Sequence, residues 1–92
     1  MERIRTLHPS GKQGVNIDKT KYDTVANTIT DILREGDVTF SALTDKVGEA
    51  IGDDFDGSVG WYVTTVKLDL EARGTIERIP NQSPQVLRLS DS

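Results

Sequence analysis

The sequence predicts an α+β domain of three helices and a small antiparallel sheet, and three observations carry that expectation. Apolar residues recur at helical spacing in three stretches, each opened by a capping side chain and closed by a glycine. Two short runs rich in β-branched and aliphatic residues, 75–79 and 85–89, flank the loop Pro80-Asn81-Gln82-Ser83-Pro84 and read as a hairpin. A third run, Val38-Thr39-Phe40, lies between the first two helices and supplies another strand.

Taken in order, residues 1–16 contain Pro9, Gly11 and Gly14 and lack sustained periodicity. They are expected to form a basic, loosely ordered N-terminal arm, with Ile4, Leu7 and Val15 available to dock on the body. Residues 17–92 are expected to form a single domain. Asp18 caps its first helix, with Ile17 and Tyr22 as a hydrophobic staple, and Thr20 with Asp23 three positions on is a competing cap. Tyr22, Val25, Ile29, Ile32 and Leu33 form the apolar stripe, and Gly36 stops the helix. Ser41 is the expected cap of the second helix, whose buried positions are Leu43, Val47, Ala50 and Ile51. Gly48 weakens that helix and Gly52 ends it. An acidic turn, Asp53-Asp54-Phe55-Asp56-Gly57, leads into a third helix running from near Ser58 to Gly74. The order α-β-α-α-β-β is that of a winged helix-turn-helix domain, with the third helix in the recognition position and the C-terminal hairpin as the wing.

Bulk properties narrow the function classes. The chain has 92 residues, enough for one domain with a modest core, and no cysteine, so disulfides and thiolate metal sites are excluded. No apolar run has signal-peptide or membrane-span length, which makes a cytoplasmic setting the expectation. Charge is uneven. Residues 1–21 hold five basic and two acidic side chains, a balance of +3, while residues 22–92 hold six basic and thirteen acidic, a balance of −7. Affinity for nucleic acid comes mainly from neutralised phosphates, so an acidic body with a basic arm is a poor generic polyanion binder.

At LDLEARGTIERI, residues 68–79, the chain resembles winged-helix transcription regulators, in which a helix ending in Leu-Glu, a basic residue and Gly runs into the first wing strand. Three longer stretches, HPSGKQGVNID (8–18), FDGSVGWYVTTVKLDLEARG (55–74) and SPQVLRL (83–89), also resemble a family of small uncharacterised bacterial winged-helix-like proteins. That second resemblance implies a fold and carries no catalytic residues.

A helix turns about 100° per residue, which divides the third helix into distinct faces. Val59, Tyr62, Val63, Val66 and Leu70 form one apolar stripe and are expected to face the core. Trp61, Leu68 and Ala72 cluster opposite, with Thr65 beside them. Gly60, Thr64, Lys67 and Glu71 make a polar strip between. For a DNA reader the expected contacts are Gly60 (close backbone approach), Thr64 (hydroxyl or methyl) and Lys67, then Arg73, the wing's Arg78 and Arg88, and Asn81 and Gln82 at its tip. Against this stand Asp53, Asp54 and Asp56, just before the helix where phosphates would lie. As an alternative, Trp61 and Leu68 form a protein-interaction or dimerisation surface, or are packed under a neighbouring element.

Reactive chemistry is not expected. For a calcium loop with Gly57 at its sixth position, the first falls on Gly52 and the twelfth on Val63, where Asp and Glu are needed. Ser10-Gly11-Lys12-Gln13 lacks the earlier Gly and the following Ser/Thr of a phosphate loop. His8 is the only histidine and has no carboxylate cluster in the sequence around it. No enzyme activity, metal or cofactor is therefore expected. The sequence favours a transcriptional regulator that binds double-stranded DNA, with a protein partner or homodimer as the alternative and no membrane association.

Overall fold

The computed structural model describes residues 2–8, 11, 14–52, 55, 57–80 and 85–90. Its elements are β1 (Arg3–Arg5), β2 (Asn16–Asp18), α1 (Lys19–Glu35), β3 (Val38–Thr39), α2 (Phe40–Ile51), α3 (Val59–Ala72), β4 (Ile76–Arg78) and β5 (Val86–Leu89). The class is α+β, with three helices and two small antiparallel sheets.

Capping decides the helix starts. The Asp18 carboxylate accepts the Thr20 N–H at 3.0 Å and so wins over Thr20 as the cap of α1. Gly36 takes φ 154° and ends the helix there. Thr39, rather than the expected Ser41, caps α2 by accepting the Ala42 N–H at 3.1 Å. Strand β3 is thereby shortened to two residues, and Phe40 is the first residue of α2. Ser58 caps α3 through the Trp61 N–H. At the other end of α3, Gly74 at φ 79° lets Thr75 N–H reach the Leu70 carbonyl while Gly74 N–H reaches that of Glu71. This is a Schellman closure, and it turns the chain directly into β4.

The three helices pack around Val25, Ile29, Leu43, Val47, Val63 and Val66, all fully buried, and the sheet closes the remaining side with Ile76 and Leu87. In that sheet β5 lies between β3 and β4, with Val38 opposite Leu87 and Glu77 opposite Arg88. Of the apolar positions expected to be buried on α2, Leu43 and Val47 are buried, Ile51 is partly buried and Ala50 is exposed.

Two strands precede α1, so the observed order is longer than the expected α-β-α-α-β-β. Correspondingly, the described part of residues 1–16 is not a loose arm. Strand β1 pairs with β2, with Ile4 opposite Ile17, and Thr6 N–H donates to Val15 O at 2.8 Å. The Thr6 hydroxyl is buried and accepts the Val15 N–H at 3.0 Å. Gly14 packs so tightly here that a Cβ would lie 1.7 Å from Thr6 O. Only glycine fits at that position.

Candidate interaction surface on the third helix

Helix α3 is covered on three sides. Its core stripe has Val63, Val66 and Leu70 buried and Val59 and Tyr62 partly buried. On one flank, Lys67 is 5 % exposed, with its Nζ 5.0 Å from the centre of the Phe40 ring at the start of α2. The same Nζ lies 3.1 Å from Glu71 Oε1, close enough for an ion pair but not aligned as a hydrogen bond. Arg78 from β4 approaches the other Glu71 oxygen at 3.7 Å. The expectation that Lys67 stands on an open polar strip is therefore corrected: Phe40, Glu71 and the neighbouring strand cover it.

On the other flank the N-terminal hairpin is stitched to the helix by Asp69, which is fully buried. Its Oδ1 accepts the Leu7 N–H at 2.8 Å. Its Oδ2 accepts from Arg73 Nε at 2.8 Å and from the Tyr22 hydroxyl. Burial first, and then the hydrogen bond to the Asp69 carboxylate, pushes the Tyr22 phenol well above its ordinary 10.0. The Asp69 bond likewise raises the Arg73 guanidinium, which burial opposes only partly. Asp69 was not singled out from the sequence. The signal available there was its i, i+4 spacing from Arg73, which is a common surface pattern and says nothing about burial.

What remains open on α3 is a strip made of Gly60, Trp61, Thr64, Thr65 and Leu68. Gly60, Trp61 and Thr64 are exposed, and Thr65 and Leu68 are half-buried. The strip carries no charge, because all three charged residues of α3, Lys67, Asp69 and Glu71, lie on its covered flanks. Thr64 spends its hydroxyl proton on the carbonyl of Gly60, at 3.0 Å. Trp61 is 46 % exposed and stands edge-on to Tyr62 at 5.0 Å, and Tyr62 stands edge-on to Phe55 at 5.0 Å, so the indole rests on a fixed aromatic row.

Among the described residues, the large hydrophobics left exposed are Trp61, Leu7 at 46 % and Val15 at 41 %. All three line one groove of about 150 Å³, with Leu68 and Thr65 on its α3 wall and the Thr6–His8 segment opposite. A second, more open cleft lies along the other edge of the strip, between Gly60 and the α2 residues Asp45 and Glu49.

The remaining DNA-contact candidates are not gathered onto the α3 strip. Arg73 is held by Asp69, Arg78 by Glu71, and Arg88 donates to Glu77 at 3.1 Å. Asn81 and Gln82 lie outside the described residues, as do Asp53, Asp54 and Asp56. Among the described residues no group of His, Cys, Asp and Glu is placed to hold a metal ion, and no helix is long and apolar enough to cross a membrane.

No curated protein and no solved structure matched the chain. The model of a family of unknown function, DUF6958, matches residues 3–87, which takes in every element from β1 to α3 and β4 and reaches into β5. The chain belongs to this family of unknown function, DUF6958.

Proposed function

We propose that this chain is a winged-helix domain that serves as a protein-interaction module, with the uncharged strip of α3 as its docking surface. The succession α1, β3, α2, α3 and the β4–β5 hairpin, with β5 between β3 and β4, supports the winged-helix reading. One observation carries the functional part: the helix in the recognition position turns every charged side chain inward and leaves Trp61 and Thr64 exposed, with Thr65 and Leu68 half-buried beside them. A helix that reads DNA needs cations and amides pointed at phosphates and base edges. An interaction surface needs a rigid aromatic anchor in an apolar setting, and Trp61 on its aromatic row is one.

Among the described residues of the C-terminal hairpin, a DNA reading retains Arg78 and Arg88. Arg88 and Glu77 are both exposed, and such pairs are worth only about 0–1 kcal/mol, so Arg88 is free to leave its carboxylate, whereas Arg78 is half exposed but its partner Glu71 is buried. Two phosphate contacts give weak and steeply salt-sensitive binding at best. Trp61 is the only tryptophan, so its fluorescence reports directly on the contested helix. Random-sequence duplex DNA titrated at low salt is expected to leave its emission unchanged. A saturable change that disappears on raising the salt would overturn this reading in favour of a DNA-binding regulator.

A further inference from the structure

We propose that the outer edge of β1 binds an extended acidic segment of a partner protein, which adds to the N-terminal hairpin as a third, antiparallel strand. This goes beyond the α3 strip, with a different surface and a different mode of recognition. Its basis is where the β1 backbone points. In an antiparallel pair, successive residues turn their N–H and C=O groups alternately toward the neighbouring strand and away from it. The Lys19 N–H donates to the Glu2 carbonyl at 3.0 Å and the Thr6 N–H to that of Val15 at 2.8 Å, with Ile4 opposite Ile17 between them. Glu2, Ile4 and Thr6 therefore face β2, and Arg3 and Arg5 turn both backbone groups to the other side. Among the described residues nothing hydrogen-bonds to those groups. The next outward N–H on that edge, at Leu7, is taken by the Asp69 carboxylate. The edge is closed at α3 and open along Arg3 and Arg5.

The side chains select the occupant. Arg3 and Arg5 are exposed and, two residues apart on a strand, stand on one face, while Ile4 between them turns inward and is half-buried against the core. The other arginines, Arg34, Arg73, Arg78 and Arg88, are each held by a carboxylate. Among the described residues Arg3 and Arg5 have no such partner. A second copy of β1 would set arginine against arginine, an unfavourable pair when directly opposed. Duplex DNA would bring its phosphates to the Arg3 and Arg5 carbonyls, acceptor against acceptor. A polypeptide backbone supplies donors and acceptors in alternation, and carboxylates at every second position fall directly opposite the two arginines. The fitting segment is acidic, β-branched, acidic, with its middle side chain on the Ile4 face. The net charge of −4 opposes such a segment only at long range, where physiological salt screens charges more than about 8 Å apart.

The test uses the isotope-labelled full chain and a fluorescent peptide, Glu-Val-Glu-Val-Glu with blocked ends, titrated from about 10 μM to about 2 mM at physiological salt. Peptide anisotropy is expected to saturate. Amide exchange at Arg3 and Arg5, fast in the free chain, is expected to slow at least about tenfold in the complex, while Ile4 and Thr6 are protected throughout. The same peptide N-methylated at its glutamates keeps its charge but cannot pair, and is expected to bind at least about tenfold more weakly. Arg3→Glu combined with Arg5→Glu is expected to weaken binding as much, with the protected Thr6 amide showing that the hairpin is still formed. Leu68→Glu, on the α3 strip, is expected to leave peptide binding unchanged.

No saturable change by about 2 mM overturns the proposal and leaves the two arginines as charges that keep the edge from pairing at all. Equal binding of the N-methylated peptide, or binding without slowed exchange at Arg3 and Arg5, overturns strand addition in favour of charge attraction alone. Duplex DNA that displaces the peptide at the same salt overturns a polypeptide as the occupant. Loss of binding in Leu68→Glu overturns the edge as the site. The α3 reading is judged separately by the response of Trp61 to duplex DNA, so either can fail while the other stands.

Discussion

Lys67 is the single cation within α3, and its four-carbon stem and ammonium are packed between Phe40 and Glu71. Reversing its charge would set two carboxylates together in a site that excludes water. Lys67→Glu is expected to destabilise the fold by about 3–5 kcal/mol, measured as a lower urea midpoint. Any loss of function in that variant then reports on folding rather than on recognition. The helical wheel places Lys67 on a polar strip between two apolar faces and gives no way to know that Phe40 closes over it, because that contact is long-range. Tyr22 makes a complementary point. Its phenol is held protonated by burial and by donation to Asp69, so its folded pKa lies above the unfolded value of 10.0. A raised pKa gives stability that is complete below pH 10.0 and is lost as pH climbs toward the folded value. The unfolding free energy is expected to fall as pH is raised above about 10, and Tyr22→Phe to flatten that fall while costing about 1.5–3 kcal/mol near neutral pH. Denaturant titrations at stepped alkaline pH measure both effects.

At the scale of elements, the helices and the C-terminal hairpin were legible because caps, apolar period and glycine stops agree locally. The β1–β2 pair was not. Its strands are three residues each, too short for alternation to register, and Gly11, Gly14 and Pro9 read as a loop. What makes it a strand pair is a side chain standing in for backbone, the Thr6 hydroxyl at Val15, and a carboxylate from the far end of α3. The Trp61 strip was legible as a second apolar face, but its use depended on which flanks were covered, and that the wheel could not supply. Gly14 is the weak point of the hairpin. Gly14→Ala drives a methyl into the Thr6 carbonyl, so the strands must part and the Leu7 wall of the groove must move. The variant is expected to keep its helical circular dichroism while Trp61 emission shifts to the red and acrylamide quenching increases. An unchanged Trp61 environment would show that the hairpin does not shape the groove.

Over the whole molecule, the acidic excess of residues 22–92 and the basic excess of residues 1–21 are brought side by side when the hairpin folds back onto α3. The composition alone suggested a charged tail beside an acidic body. The bond from Leu7 N–H to Asp69 joins positions 62 apart in a chain of 92 residues. Long loops are closed late, after local helix contacts have already formed and repaid part of the entropy. The groove beside Trp61 takes one wall from residues 6–8 and the other from α3, so it exists only when the hairpin is seated on the helix. A chain whose N-terminal hairpin is unseated keeps its tryptophan-bearing helix but loses the opposite wall that frames the indole.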